Sequence, residues 1–202
     1  MAQEKSVLID QTGLAFEFLS KLYFEVSYLI KEMEGLLNQE EEKFLIGKPS
    51  GYGISTRSST GLEPANVGLW LLKKMAVFFV PEVMTKIEKG MTRTDVTPEL
   101  KVLYLRIILD GRSTKQPVVY LGPLFGIENK GRAKWISKFE HMMNHIEYND
   151  QKVFGNPRKV NYEDAYLTIR GELLKVNLFD ITDSEAVTTR LIKPSLQLYR
   201  EH

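Results

Sequence analysis

From Ala15 to Leu36 the apolar residues Ala15, Leu19, Leu22, Val26, Leu29, Met33 and Leu36 recur in alternating steps of four and three. Such spacing keeps one seam facing a partner only if the chain is helical. Phe18 flanks the seam on one side and Phe16, Tyr23, Ile30 and Leu37 on the other, so the stripe is wider than a two-stranded coiled coil requires. Asp10 or Thr12 is the expected cap, and Gly35 with the acidic run Glu40 to Glu42 marks the exit, because carboxylates oppose the dipole at a helix C-terminus. A helix closing near Asn38 is then about 26 residues long, roughly 39 Å at 1.5 Å per residue. Leu19, Leu22, Val26, Leu29, Met33 and Leu36 have two uses open to them. They pack on the chain's own sheet, or they form a homodimer seam, which heptad spacing permits without demanding.

Beyond this helix the chain reads mostly as strand. Phe44 to Ile46 predicts a short strand, and the Gly/Ser/Thr-rich stretch 47–61 a polar loop with Tyr52 and Ile54 on a second one. Met75 to Val80 predicts a buried strand fed by a helical turn over 68–74, and Pro81 to Gly90 bracket a short helix with Val83, Met84 and Ile87 inward. Lys101 to Asp110 alternates cleanly: Leu103, Leu105, Ile107 and Leu109 share one face, with Lys101, Arg106 and Asp110 on the other. Asp110-Gly111 turns it into a hairpin with Pro117 to Leu121, after which Gly122-Pro123 and Gly126 are expected to break the ladder.

Gly131 to Tyr148 carries Trp135, Ile136, Phe139, Met142, Met143 and Ile146 on one helical face. Over 161–179 the pattern fits either a helix or strands, as two short ones or one kinked at Gly171, and strands are the expectation. Thr182-Asp-Ser-Glu185 has the form of a capping box for a last helix, which Pro194 kinks or ends.

Composition narrows the classes. Cysteine is absent, which removes disulfides, thiolate nucleophiles and Cys-ligated zinc together. The formal charge of +1 gives no global pull toward nucleic acid or membrane. No uncharged apolar stretch approaches 18 residues, and Met1 to Asp10 lacks a signal-peptide core. A cytoplasmic protein with no membrane partner is the expectation.

Motifs for chemistry are weak. Gly47-Lys48-Pro49-Ser50 departs from a phosphate loop, since Pro49 stands where Ser or Thr must follow the lysine. His141 and His145 share a helical face at the spacing of zinc-protease helices, but Met142 replaces the glutamate and Lys134 and Lys138 crowd the face with like charge. No metal site is assigned. Asp110 with Glu128-Asn129-Lys130 superficially matches the acid and Glu-x-Lys pair of a nuclease core, yet in a hairpin the two acids stand roughly 30 Å apart, too far for one Mg²⁺. One charge asymmetry stands out. Between 111 and 138, Arg112, Lys115, Lys130, Arg132, Lys134 and Lys138 face only Glu128, with His141 and His145 extending the stripe. Such a patch suits a phosphate-bearing ligand or a nucleic-acid backbone.

The expectation is a single α+β domain over 1–202, a mainly antiparallel sheet with the long N-terminal helix and the helix of Gly131 to Tyr148 covering its apolar face. The layout is similar to that of GAF or PAS sensing modules, a likeness that no motif carries. A non-enzymatic binding or assembly module, homodimeric through its first helix, leads. An anion or nucleic-acid binder through residues 111–138 is the alternative, and an enzyme of unrecognised type is the third; no cofactor is assigned.

Overall fold

The computed structural model describes residues 2–50, 73–88, 91–94, 96–110, 115–131 and 139–202, without the side chains of 2–6, 48–50, 87, 88 and 91–93. The second strand expected over Tyr52 and Ile54, the turn at 68–72, and Trp135 and Ile136 lie outside the described residues. The architecture is α+β. A long helix α1 (Ala2–Asn38) precedes a sheet built from β1 (Phe44–Ser50), β2 (Lys74–Pro81), β5 (Val102–Ile108), β6 (Val118–Asn129), β7 (Val160–Glu163) and β8 (Leu167–Gly171), in the spatial order β1-β2-β5-β6-β8-β7. A seventh strand, β9 (Leu174–Asn177), also pairs with β6. Every pairing in the sheet is antiparallel.

The two covering layers take opposite faces rather than one. Helices α2 (Phe139–Tyr148) and α3 (Asp150–Val153) bury Phe139, Met142, Met143, Ile146 and Val153 against Phe78, Tyr104 and Leu124 on the first face. On the second, α1 packs Val26, Leu29, Met33 and Leu37 against Phe79, Leu103, Leu105 and Ile107, beside a C-terminal helical run that adds Leu191, Leu196 and Tyr199. That run is α4 (Ser184–Val187), a π-helical turn (Thr188–Ile192) and α5 (Lys193–Glu201). Strand β5 is therefore buried on both sides, which is why its period-2 pattern underestimates how much of it is covered.

Four expectations change on a physical ground. Helix α1 begins at Ala2, so Thr12 is interior and its hydroxyl donates to the Leu8 carbonyl at 2.7 Å instead of capping. The short helix after Pro81 is one 3₁₀ turn (Glu82–Met84), followed by a hairpin of β3 (Thr85–Glu88) and β4 (Met91–Thr94). Its register pairs Thr85 with Thr94 and Ile87 with Thr92, β-branched residues that prefer extended backbone. Gly122-Pro123 does not break the ladder. Strand β6 runs through it and exchanges partners there, from β9 at 118–121 to β8 beyond Leu124. A Cβ on Gly122 would meet the Glu172 carbonyl oxygen at 2.0 Å, so only glycine admits the corner between β8 and β9. The irregularity falls later, at Gly126 (φ +56), between Phe125 and Glu128. Of the two effects expected of Pro194, ending the last helix is the one that does not occur. The preceding π turn absorbs the proline's missing donor, and Asp183, one residue past Thr182, caps the run by accepting from the Ala186 amide at 2.8 Å.

Candidate functional site

Two halves of α1 divide one apolar stripe between them. Over its C-terminal half Val26, Met33 and Leu37 are at most 1% exposed, whereas Val7, Leu8, Ile9, Leu14, Phe16 and Phe18 are 49 to 67% exposed. Leu8, Ala15 and Leu19 continue the line of Leu22, Val26 and Met33, so the bare surface is the same seam beyond the edge of the sheet. Acid and base in this half, Asp10, Glu17 and Lys21, sit on the opposite flank, where Lys21 Nζ and Glu17 Oε1 pair at 2.8 Å. Among the described residues no helix is long and apolar enough to cross a membrane.

Polar residues beneath α2 and α3 form a closed network. Asn149 donates its side-chain amide to the His145 carbonyl at 2.9 Å, which ends α2 and sets Asp150 at the first turn of α3, where the helix dipole favours a carboxylate. Asp150 Oδ2 accepts from Arg106 Nη2 at 2.6 Å and also from Lys74. Tyr104 donates to Glu147 and receives Arg106 Nη1 at 3.3 Å. The Phe154 ring stacks on Tyr104 at 4.8 Å and lies under the Arg106 guanidinium at the same distance. Burial opposes the Asp150 charge, but the hydrogen bonds from Lys74 and Arg106 outweigh it and hold the carboxyl below its ordinary range. Burial pushes Tyr104 well up and raises Glu147. With Tyr104 fully buried and Arg106 7% exposed, the network is a structural tie between sheet and helices, each charge held by a partner.

A second hub, Asp164, closes the β7–β8 turn. Its Oδ1 accepts the Tyr166 and Leu167 amides at 2.7 Å each, and its Oδ2 meets the Tyr162 hydroxyl at 2.8 Å and His145 Nε2 at 2.6 Å. Burial works against that carboxylate, yet these four contacts bring its pKa down to about 2, while burial and Asp164 push Tyr162 up to about 12.

Of the six basic residues singled out between 111 and 138, the described ones are Lys115 and Lys130. Lys115 stands before β6 and Lys130 directly after it, and a strand of 12 residues separates its ends by about 40 Å. Lys130 pairs with Glu163, and His145 is taken up by Asp164. His141 lies on α2, two residues from its start and half-buried. Arg112, Arg132, Lys134 and Lys138 lie outside the described residues. The same register carries Asp110 to one end of the β5–β6 pair and Glu128 to the other. Among the described residues no three His, Asp or Glu side chains converge as a metal ion would need.

A different set of cations does converge. Arg158, Lys159, Asn161, Arg170 and Glu172 line an open cleft of about 480 Å³, floored by Phe125 and closed at one side by His202. It lies where the second face of the sheet runs on beyond α5. Phe125, Arg170 and Asn161 are successive cross-strand partners over β6, β8 and β7. Alternation buries Val160, Tyr162, Leu167 and Ile169 toward α2 and turns Asn161 and Arg170 outward. Sequence reasoning missed this set because its members are drawn from a loop and two strands; the adjacency of Arg158 and Lys159 was the one local signal.

No known protein family, no curated protein and no solved structure matches this chain.

Proposed function

We propose that this protein is a non-enzymatic assembly module that pairs with a second copy of itself through the free half of α1. One observation carries the reading: the seam that the sheet covers from Val26 to Leu37 continues uncovered from Val7 to Leu19. A half-helix without tertiary packing is only marginally stable in water, and apolar side chains on it favour a partner that covers them.

A second copy fits on two grounds. The flanks of the free seam, Ile9, Gln11, Phe16 and Phe18, carry no charge, so symmetric pairing sets no like charges against each other. Six large apolar side chains in this half of α1, from Val7 to Phe18, are 49 to 67% exposed, two of them aromatic, and a second copy would cover them together with their own counterparts. An anionic lipid surface fits less well, because the polar flank bears Asp10 and Glu17 where membrane-surface helices bear Lys and Arg.

Sedimentation equilibrium at tens of micromolar is the test. Doubled mass is expected, and the double variant Leu8→Lys with Phe18→Lys, altered only at exposed positions, should be monomeric with unchanged circular dichroism. A monomeric wild type, a dimer indifferent to that double variant, or a monomer that instead co-sediments with phosphatidylserine vesicles each overturns the reading.

A further inference from the structure

Arg158, Lys159 and Arg170 line one cleft with a single side-chain carboxylate, Glu172, among its lining residues. None of the three cations has a carboxylate within ion-pair distance among the described residues. Glu172 stands 3.9 Å from His202 Nε2 instead. The contrast with the cleft beside α5 is direct, since Lys193 and Arg200 there share the lining with Glu40 and Glu201, and Arg200 is held by Glu42 at 2.8 Å. Three like charges lining one cleft, none of them in an ion pair among the described residues, raise its positive potential, and an anion is attracted there.

The backbone holds these groups in place. Arg170 and Asn161 are direct partners across the β8–β7 pair, so a guanidinium fork and a side-chain amide project side by side from rigid strands. The stem of Arg170 lies over Gly126, its Cδ 3.6 Å from where a Cβ would stand. Arg158 and Lys159 immediately precede β7, which brings them to the rim. The Phe125 and His202 rings of the lining stack at 4.1 Å with an 18° tilt, an aromatic surface beside the cations.

We infer that this cleft binds the phosphate group of a phosphate ester, with Arg170, Arg158 and Lys159 as its charge partners and Asn161 as an added donor. Guanidinium groups match phosphate oxygens in paired hydrogen bonds, and about 480 Å³ lies within the size range of small-molecule sites. The site is separate from the α1 seam, and none of its cations belongs to the basic stretch 111–138. A nucleotide supplies the chemistry in two forms, free or within a single strand, where a ring can also use the Phe125–His202 surface.

Titration calorimetry of the whole protein at low salt tests this with three probes: pyrophosphate, a mononucleotide and a short single-stranded oligonucleotide. Saturable binding of at least one probe is expected, weakened tenfold or more in the triple variant Arg158→Gln, Lys159→Gln, Arg170→Gln. Preference for the mononucleotide assigns a small ligand, and preference for the oligonucleotide a strand whose affinity falls steeply with salt. Absence of binding by all three at millimolar concentration, or binding that the triple variant keeps, overturns the inference. The melting curve of that variant guards against a folding artefact, because all three positions are exposed.

Discussion

Two groups of cations belong to the same sheet and behave in opposite ways. Under α2 and α3, Lys74 and Arg106 converge on Asp150, with Tyr104, Glu147 and Phe154 packed around them. At the far end, Arg158, Lys159 and Arg170 line an open cleft whose one side-chain carboxylate, Glu172, stands nearest His202. Cover makes the difference. Where two helices close over the sheet, each charge must find an opposite one, since an unpaired buried charge costs several kcal/mol. Where no helix arrives, water screens the charges and nothing forces pairing. Paired cations are thus part of the architecture here, and unpaired ones are free to meet something else.

The largest expected effect comes from breaking the covered group. Asp150→Ala strands the buried Arg106 beneath α3, while Lys74, 40% exposed, turns to water, and it should lower unfolding stability by about 3 kcal/mol, read from urea titration. A loss below about 1 kcal/mol would mean the network is wet, and the contrast would collapse. A smaller effect is expected at the Asp164 hub, whose carboxyl is brought from 3.8 down to about 2. A depressed carboxylate stabilises the fold above its unfolded pKa, and that contribution is lost as pH falls through the folded one. The stability difference between wild type and Asp164→Asn should therefore hold above about pH 4 and vanish by about pH 2. Because the side chain is 24% exposed, solvent screening leaves it on the order of 1 kcal/mol. A difference that stays constant down to pH 2 would show that the contacts do not favour the charged form. Least is expected at the open end, where Arg158→Gln, Lys159→Gln and Arg170→Gln together should change unfolding stability by less than about 0.5 kcal/mol. A larger drop would make those residues structural and the two groups alike.

Much of the frame was legible in the residues, and the reasons for what was not differ element by element. Gly35 and the acidic run at 40–42 located the end of α1 at Asn38, and alternation located the β5 strand, because both are local; over 161–179 periodicity fitted a helix as well as the strands that form there. Alternation in β5 put Arg106 opposite Leu105 and suggested an outward face, yet that face is covered by α2 and α3. Glycine and proline at 122–123 read as a break because their effect depends on what lies across the strand, and here it is the corner at Glu172 that needs the space. Of the charge excess counted between 111 and 138, the described cations are Lys115 and Lys130, and the 12 residues of β6 set these two at its opposite ends.

By itself the sequence determined that this chain builds a long amphipathic helix and a set of half-apolar strands, since side-chain period follows from a few residues of backbone. It also determined that α1 has one greasy side. Only the tertiary structure decided how far along α1 that side is covered, and that the two helical layers lie on opposite faces. It alone decided which charges are sealed with a partner and which stand open. Those outcomes depend on contacts between segments far apart in the chain, such as Arg106 with Asp150 and Arg170 with Asn161, and no local pattern encodes the distance between such segments once the chain has folded.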